Sequence, residues 1–415
     1  METTPKSLRL QVGLFGRTNV GKSSVMNLIA GQDVALISPV PGTTTDVVEK
    51  SIELLPLGPI TLLDTAGLDD VSELSEGRIE RALRILDRAE IVLLIAEPDA
   101  WTKYEERIIA EAKQRKIPFV ILVNKIDLQS SSKSFKKELD ERANYVIYLS
   151  AIHREKRDEY LTEIKDALIA LAPGNYIKPL PLLGDLISKG GLVVMIMPID
   201  KEAPKGRLIL PQVQAVRDVL DNDAITVVTK ETEYPLVLPL LNKKPDLVIC
   251  DSQVVHLMME QTPEDIRTTT FSILFSRYKG NLLEEVKGAA AVAQLRDGDK
   301  VLIAEACSHH ANEDDIGRVK ILRWIRQFTG VNIQIDHVQG RDYPANLSEY
   351  SVIIHCGGCM LTRNEKLVRI DKAKCAEVPI TNYGLTISLT QGVLGRALSP
   401  FPEALTMFEN WKREN

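Results

Sequence analysis

Between residues 16 and 24 the chain reads Gly16-Arg17-Thr18-Asn19-Val20-Gly21-Lys22-Ser23-Ser24, a G-x-x-x-x-G-K-S spacing. An apolar run with strand character, Leu8 to Phe15, precedes it, and Ser23 to Ala30 follows with helical character. The glycines let successive backbone N–H groups wrap an anion. Lys22 reaches the terminal phosphates of a nucleotide, and the Ser23 hydroxyl suits Mg²⁺. The helix N-terminus turns its partial positive charge on the same anion. A chain carrying this loop must build a strand and a helix around it, so the expected fold is α/β with a doubly wound sheet.

Four later segments narrow the nucleotide to a guanine one. Pro41-Gly42-Thr43-Thr44-Thr45-Asp46 lies where a switch loop supplies a threonine, here Thr44, to Mg²⁺. Asp64-Thr65-Ala66-Gly67 follows the apolar run Ile60 to Leu63, which sets Asp64 at a strand end beside the phosphates. Asn124-Lys125-Ile126-Asp127 follows the strand Phe119 to Val123. The Asp127 carboxylate can accept from guanine N1–H and from the exocyclic amine, a pair that adenine lacks. Ser150-Ala151 follows Tyr145 to Leu149 and can offer a backbone N–H to the guanine oxygen. The candidate binding residues are Gly16, Asn19, Gly21, Lys22, Ser23, Ser24, Asn124, Lys125, Asp127, Ser150 and Ala151. Lys22, Thr44, Asp64 and Gly67 form the candidate catalytic set.

These motifs resemble the GTPases of the Era/TrmE group. Leu68 stands where signalling GTPases carry the glutamine that orients the attacking water, and a leucine cannot do this. The resemblance implies that K⁺, bound at Asn19, takes over the charge of an arginine finger when two nucleotide domains meet. Thr45 departs from the arginine common in relatives at that point of the switch loop.

A chain of 415 residues has room for two to four domains. Its net charge is -6, with both signs interspersed, and no basic block points to nucleic acid. No apolar run has membrane-span length, and residues 1–6 are no signal peptide, so a cytoplasmic protein is expected. In a reducing compartment its five cysteines are not expected to form disulfides, and clustered ones read as ligands or nucleophiles.

Strands and helices alternate from Leu8 to about Leu171, which gives a nucleotide domain over residues 1–172. A second α/β unit is expected over 177–261, with strands at Leu192 to Met197, Ala224 to Thr229 and Asp246 to Cys250. It carries no catalytic constellation and reads as a dimerisation module or a spacer. A third α/β unit is expected over 265–415. There Phe271 to Leu295 reads as one helix, Lys300 to Ala304 and Tyr350 to Ile354 as strands, and Ile316 to Phe328 and Thr362 to Lys374 as helices.

The third unit holds Cys307 after its first strand and His355-Cys356-Gly357-Gly358-Cys359 after a later one. Both groups fall at carboxyl ends of strands, where open α/β sheets bind ligands. Gly357 and Gly358 let the backbone fold tightly between two thiolates, and the helix from Thr362 adds a positive dipole end. Three thiolates suit three corners of a 4Fe-4S cube. A Zn²⁺ site completed by His309 or His355 satisfies the same spacing, and so do buried cysteines without a metal.

Cys307-Ser308-His309 followed by His355-Cys356-Gly357-Gly358-Cys359 resembles the signature of the FeFe-hydrogenase maturation GTPases. Phe271 to Gly280 and Leu68-Asp69-Asp70 resemble that family as well. The resemblance runs along the whole chain. It implies a GTP-hydrolysing scaffold that holds a 4Fe-4S cluster on Cys307, Cys356 and Cys359. It also implies receipt of a diiron precursor assembled with radical-SAM maturases, and delivery of the two-iron subcluster to apo-hydrogenase. A homodimer through the middle domain is part of the same picture. His309, His355 and Glu305 are candidates for the fourth cluster position, and Cys250 and Cys375 read as structural. The rival readings are an RNA-directed GTPase and a zinc-stabilised GTPase adaptor.

Overall fold

The computed structural model describes residues 4–31, 48–55, 57–64, 82–177, 181–199, 208–306, 316–340, 343–344 and 346–414. Two compact units divide the chain, Met1–Pro179 and Leu180–Asn415.

In the first unit six strands form one sheet: β1 (Leu10–Phe15), β2 (Val48–Leu54), β3 (Gly58–Asp64), β4 (Ile91–Ala96), β5 (Phe119–Val123) and β6 (Val146–Tyr148). Their order is β2-β3-β1-β4-β5-β6. All pairs are parallel except β2 with β3. The near-continuous apolar runs of β1 and β4 are buried along their whole length, as strands covered on both faces must be. Alternation then separates two cores. Leu10, Val12, Leu62, Ile91 and Leu93 pack on one face, and Phe15, Leu63, Val92 and Leu94 on the other. Strand β1 lies between β3 and β4, so a crevice opens at its carboxyl end, immediately before Gly16.

The second unit holds two parallel four-stranded sheets. One contains β7 (Leu192–Ile196), β8 (Ile225–Thr229), β9 (Leu247–Cys250) and β10 (Thr268–Thr270) in the order β10-β9-β7-β8. The other contains β11 (Lys300–Ala304), β12 (Gln334–Val338), β13 (Val352–His355) and β14 (Ile380–Asn382) in the order β12-β11-β13-β14. A single apolar core, with Val193, Ile249, Phe275, Val301 and Ile354 among its members, runs through both sheets. Strand β10 pairs with β9, so the middle sheet takes in residues beyond Pro263.

Where one helix was expected over 271–295 there are two, Phe271–Lys279 and Leu282–Val292. Gly280 ends the first, and the Asn281 side chain caps the second by accepting from the Glu284 N–H at 3.3 Å. The expected helix from Ile316 opens with a π-helical stretch, Ile316–Lys320, and becomes α-helical at Ile321–Thr329. The segment after residue 180 is tied down. The Asp218 carboxylate accepts from the backbone N–H groups of Leu182, Leu183 and Gly184. Arg277 grips both Asp185 oxygens at 2.7 Å.

Candidate functional site

Strand β1 delivers the phosphate loop, and the helix Lys22–Ala30 receives it. Gly21 caps that helix in the left-handed region at φ 93, and a Cβ there would lie 2.3 Å from the Asn124 side-chain nitrogen. Only glycine fits. Asn19 is also left-handed, at φ 66, a conformation that asparagine tolerates. Lys22 is buried, and its Nζ donates to the carbonyls of Gly16 at 3.0 Å and Arg17 at 2.9 Å. These are the loop's own acceptors, so the ammonium already sits inside the cradle. Asn19, Ser23 and Ser24 are exposed at its rim.

Asp64 closes β3, is buried, and stands in register with Leu14 two residues before Gly16. That places it beside the loop, as expected. Asn124 is buried and binds in both directions. Its Nδ2 donates to the Val20 carbonyl at 2.9 Å, and its Oδ1 accepts from the Ala151 N–H at 3.0 Å. One side chain therefore joins the phosphate loop to the Ser150-Ala151 loop. Lys125 is left-handed at φ 67 and pairs with Glu97 at 2.5 Å. Asp127 is partly exposed on the same turn. The sequence reading missed Glu105. This fully buried carboxylate caps the helix Lys103–Gln114 and holds Arg17 Nε at 2.7 Å, bracing the loop from outside. Its signal was the Thr102-x-x-Glu105 capping box. Thr44, Thr45, Gly67 and Leu68 lie outside the described residues.

The cysteine loop begins at the end of β13. The Cys356 N–H donates to the Ala304 carbonyl at 3.0 Å, and Cys356 Sγ accepts from the Ala306 N–H at 3.1 Å. Ala306 immediately precedes Cys307, so the two cysteine-bearing segments meet at the edge predicted for them. Cys307, His309 and His310 themselves lie outside the described residues. Among the described residues no three His, Cys, Asp or Glu side chains gather as a metal set.

Gly358 is left-handed at φ 64 and lets the chain turn back, its carbonyl accepting from the Leu361 N–H at 3.0 Å. Thr362 and Glu365 form a capping box at the start of the helix Arg363–Cys375. Desolvation raises the Cys356 thiol pKa, while the N–H groups of Ala306 and Gly358 pull it down by stabilising the thiolate. Cys356 and Cys359 are partly exposed and unbridged, Cys250 is buried, and Cys375 is exposed. Burial lifts the Cys250 thiol pKa well above its ordinary value, which suits a structural role.

His355 is engaged with Tyr343. It is buried, its Nε2 lies 3.2 Å from the Tyr343 hydroxyl, and its ring leans on the Tyr343 ring. The Arg369 guanidinium covers the Tyr343 ring at 5.2 Å. Burial drives the imidazole pKa well down, and Arg369 and Lys366 add to the shift, so the ring is neutral at pH 7. Glu305 is buried with both oxygens engaged. Oε1 accepts from the Tyr383 hydroxyl at 3.1 Å and Oε2 from the Gln339 amide at 3.2 Å.

Beneath the loop lies a floor of buried cations that the sequence reading did not single out: Lys279, Lys366 and Arg369. Lys366 pairs with buried Glu285 at 2.9 Å. Burial lowers the Lys279 pKa to about 8, opposed by Cys359. Two unbridged thiols on a glycine turn, N–H groups aimed at a sulfur and a cationic floor together suit a negatively charged metal–sulfur cluster.

Comparison with known proteins matches three stretches of the chain to family models. A family model described as the hydrogen maturase F dimerization domain matches residues 182–280, and the hydrogen maturase F tetramerization domain matches residues 283–400. A 50S ribosome-binding GTPase model matches residues 11–125. The tRNA modification GTPase MnmE of Nitrosomonas europaea is 36% identical over 147 residues, 35% of this chain and 32% of that protein. Its counterpart from Synechococcus sp. is 38% identical over 129 residues, 30% of this chain and 27% of that protein. The chain thus spans about a third of the length of these curated relatives. Among solved structures, the G domain of the T. maritima FeoB iron transporter is 22% identical with TM-score 0.31, covering 40% of this chain and 99% of that one. A single-residue variant of Aquifex aeolicus Era bound to GDP·AlF4⁻ is 21% identical with TM-score 0.31, covering 56% of this chain and 98% of that one.

Proposed function

The chain belongs to the hydrogen maturase F family, and from that premise we propose that it is a cytoplasmic, GTP-hydrolysing scaffold for the two-iron subcluster of FeFe-hydrogenase. It holds a 4Fe-4S cluster on Cys307, Cys356 and Cys359. It takes up a diiron precursor assembled with radical-SAM maturases and passes the subcluster to apo-hydrogenase. The observation that carries this reading is the 3.1 Å bond from the Ala306 N–H to Cys356 Sγ. It joins the two cysteine segments at one sheet edge, over a cationic floor that a neutral buried cysteine pair would not need.

In the nucleotide unit Lys22 exchanges its two loop carbonyls for the terminal phosphates. Ser23 and Thr44 hold Mg²⁺, with Asp64 behind them, and Asp127 reads guanine. K⁺ at Asn19 supplies the charge that Leu68 cannot help to organise. In the cluster unit Cys307, Cys356 and Cys359 would hold the cube, which would supply an open iron position to the incoming precursor. The protein's part is to fix the thiols, exclude bulk water through the buried His355–Tyr343–Arg369 stack and neutralise charge from below. Anaerobic reconstitution of the full chain with iron and sulfide tests the reading. About four irons per chain and an EPR signal on reduction are expected. Binding of one Zn²⁺ in place of iron would sink it in favour of the zinc-stabilised adaptor.

The same reading includes a homodimer, built on the open edge of the middle sheet. Among the described residues strand β8 pairs on one side only, and it exposes Ile225 and Val228, which are 55% and 47% exposed. The opposite edge, β10, is buried and covered by bonds to Arg396 and Ser399. An exposed apolar edge strand recruits another chain unless it is blocked. Replacing Ile225 and Val228 together by Lys is expected to convert a dimer into a monomer in light scattering. A double variant that stays dimeric would place the interface elsewhere.

A further inference from the structure

Lys279 is the last residue of the helix Phe271–Lys279 and is 1% exposed. Its Nζ donates to the Cys359 carbonyl at 3.1 Å and to the Leu361 carbonyl at 2.9 Å, 80 and 82 residues away in the chain. Both of these partners are carbonyls, and among the described residues no carboxylate is bonded to the ammonium. The carboxylates of this region are committed elsewhere. Glu285 Oε1 holds Lys366 at 2.9 Å, and its Oε2 accepts from the Ser276 hydroxyl at 2.7 Å and from the Asn382 amide. Glu365 accepts from the Thr362 N–H at 2.9 Å and acts on Lys279 only through space. A buried ammonium without a bonded counter-charge is costly unless an anion completes its surroundings. Through the same two bonds Lys279 grips the loop that carries Cys356 and Cys359.

We propose that Lys279 is a positioning residue for the cluster. Its two bonds hold residues 359–361 so that both thiols face one cluster, and its charge favours the more negative, reduced state of that cluster. This rests on the cluster reading above and adds a role for a residue that is not a ligand. The charge acts through a medium of low effective dielectric, where a single buried cation shifts an ionic equilibrium strongly.

The test uses the full-length chain with Lys279→Met, which keeps the bulk but loses both charge and donors, and Lys279→Gln, which keeps donors without charge. Each is reconstituted anaerobically beside the parent, assayed for iron and titrated with dithionite while EPR follows the reduced cluster. Both variants should bind less iron. At the parent's midpoint the reduced-to-oxidised ratio of the retained cluster should fall about tenfold, a shift of about 59 mV to lower potential for a one-electron couple. Parent-like iron content and midpoint would overturn the proposal. So would iron loss with an unchanged midpoint in the retained fraction, since packing alone explains that result. If the Met variant does not fold, the Gln variant decides on the same two readouts. Failure of both to fold makes Lys279 a folding residue and also overturns the proposal. A parent that takes up no cluster sinks the cluster reading itself, whereas a loaded parent matched by its variants sinks only the role of the lysine.

Discussion

Lys22→Ala is expected to cut GTP turnover by on the order of 10²–10³-fold or more, the scale seen when one pre-organised electrostatic donor is removed. Lys22 is buried with its Nζ 2.9 Å from the Arg17 carbonyl and 3.0 Å from that of Gly16. The ammonium therefore waits at the place where phosphate charge develops and needs little reorganisation to reach it. Alanine removes that charge and leaves the two carbonyls facing the phosphates without a cation between them. Phosphate release measured with Mg²⁺ and K⁺ reads the effect, and thermal melting checks that the unit still folds. Turnover within a few-fold of the parent would mean that residues 16–24 do not serve hydrolysis. In the same assay Asp127→Asn should weaken GTP binding, and exchanging K⁺ for Na⁺ should slow the parent if Asn19 helps to hold the ion.

Cys356→Ser should cost most of the iron. Cys356 is the best anchored of the described cysteines in this loop. Its N–H is bonded to Ala304, and its sulfur accepts from Ala306. Serine in its place keeps the backbone bond but offers a hard alkoxide precursor of high pKa where a soft thiolate is required. A cube left with two thiolates has lost a corner and part of its charge balance. Iron analysis and EPR after reconstitution measure this, with Cys375→Ser as the matched control. Cys375 is exposed at the far end of the helix Arg363–Cys375, and its replacement should leave the iron content near that of the parent. Full iron with an unchanged spectrum in the Cys356 variant would remove the chemical basis of the scaffold.

Much of this was legible along the chain. The phosphate loop, Asp64, Asn124 and the Cys356 loop each sit at the carboxyl end of an apolar run. In a parallel sheet such runs become buried strands whose ends share one edge. The spacing of a loop between a strand and a helix is local information, and local geometry is enough to assign it. The break at Gly280-Asn281 was local too. A glycine followed by a good N-cap residue divides the expected single helix in two.

Other features were decided only by tertiary structure. Sequence offered His355 as a ligand because it adjoins Cys356. The fold buries its ring and sets its Nε2 against the Tyr343 hydroxyl, a partner 12 residues away. Asn124 was read for guanine, yet its side chain also joins Val20 to Ala151 across 104 and 27 residues. Lys279 fell inside the single helix expected over 271–295, and its partners appeared only when the fold laid the Cys359 loop across it. A motif records which groups one short segment can present. Whether a buried charge or a ring nitrogen is already satisfied depends on partners that are distant in sequence and that only the packed core brings within hydrogen-bonding range.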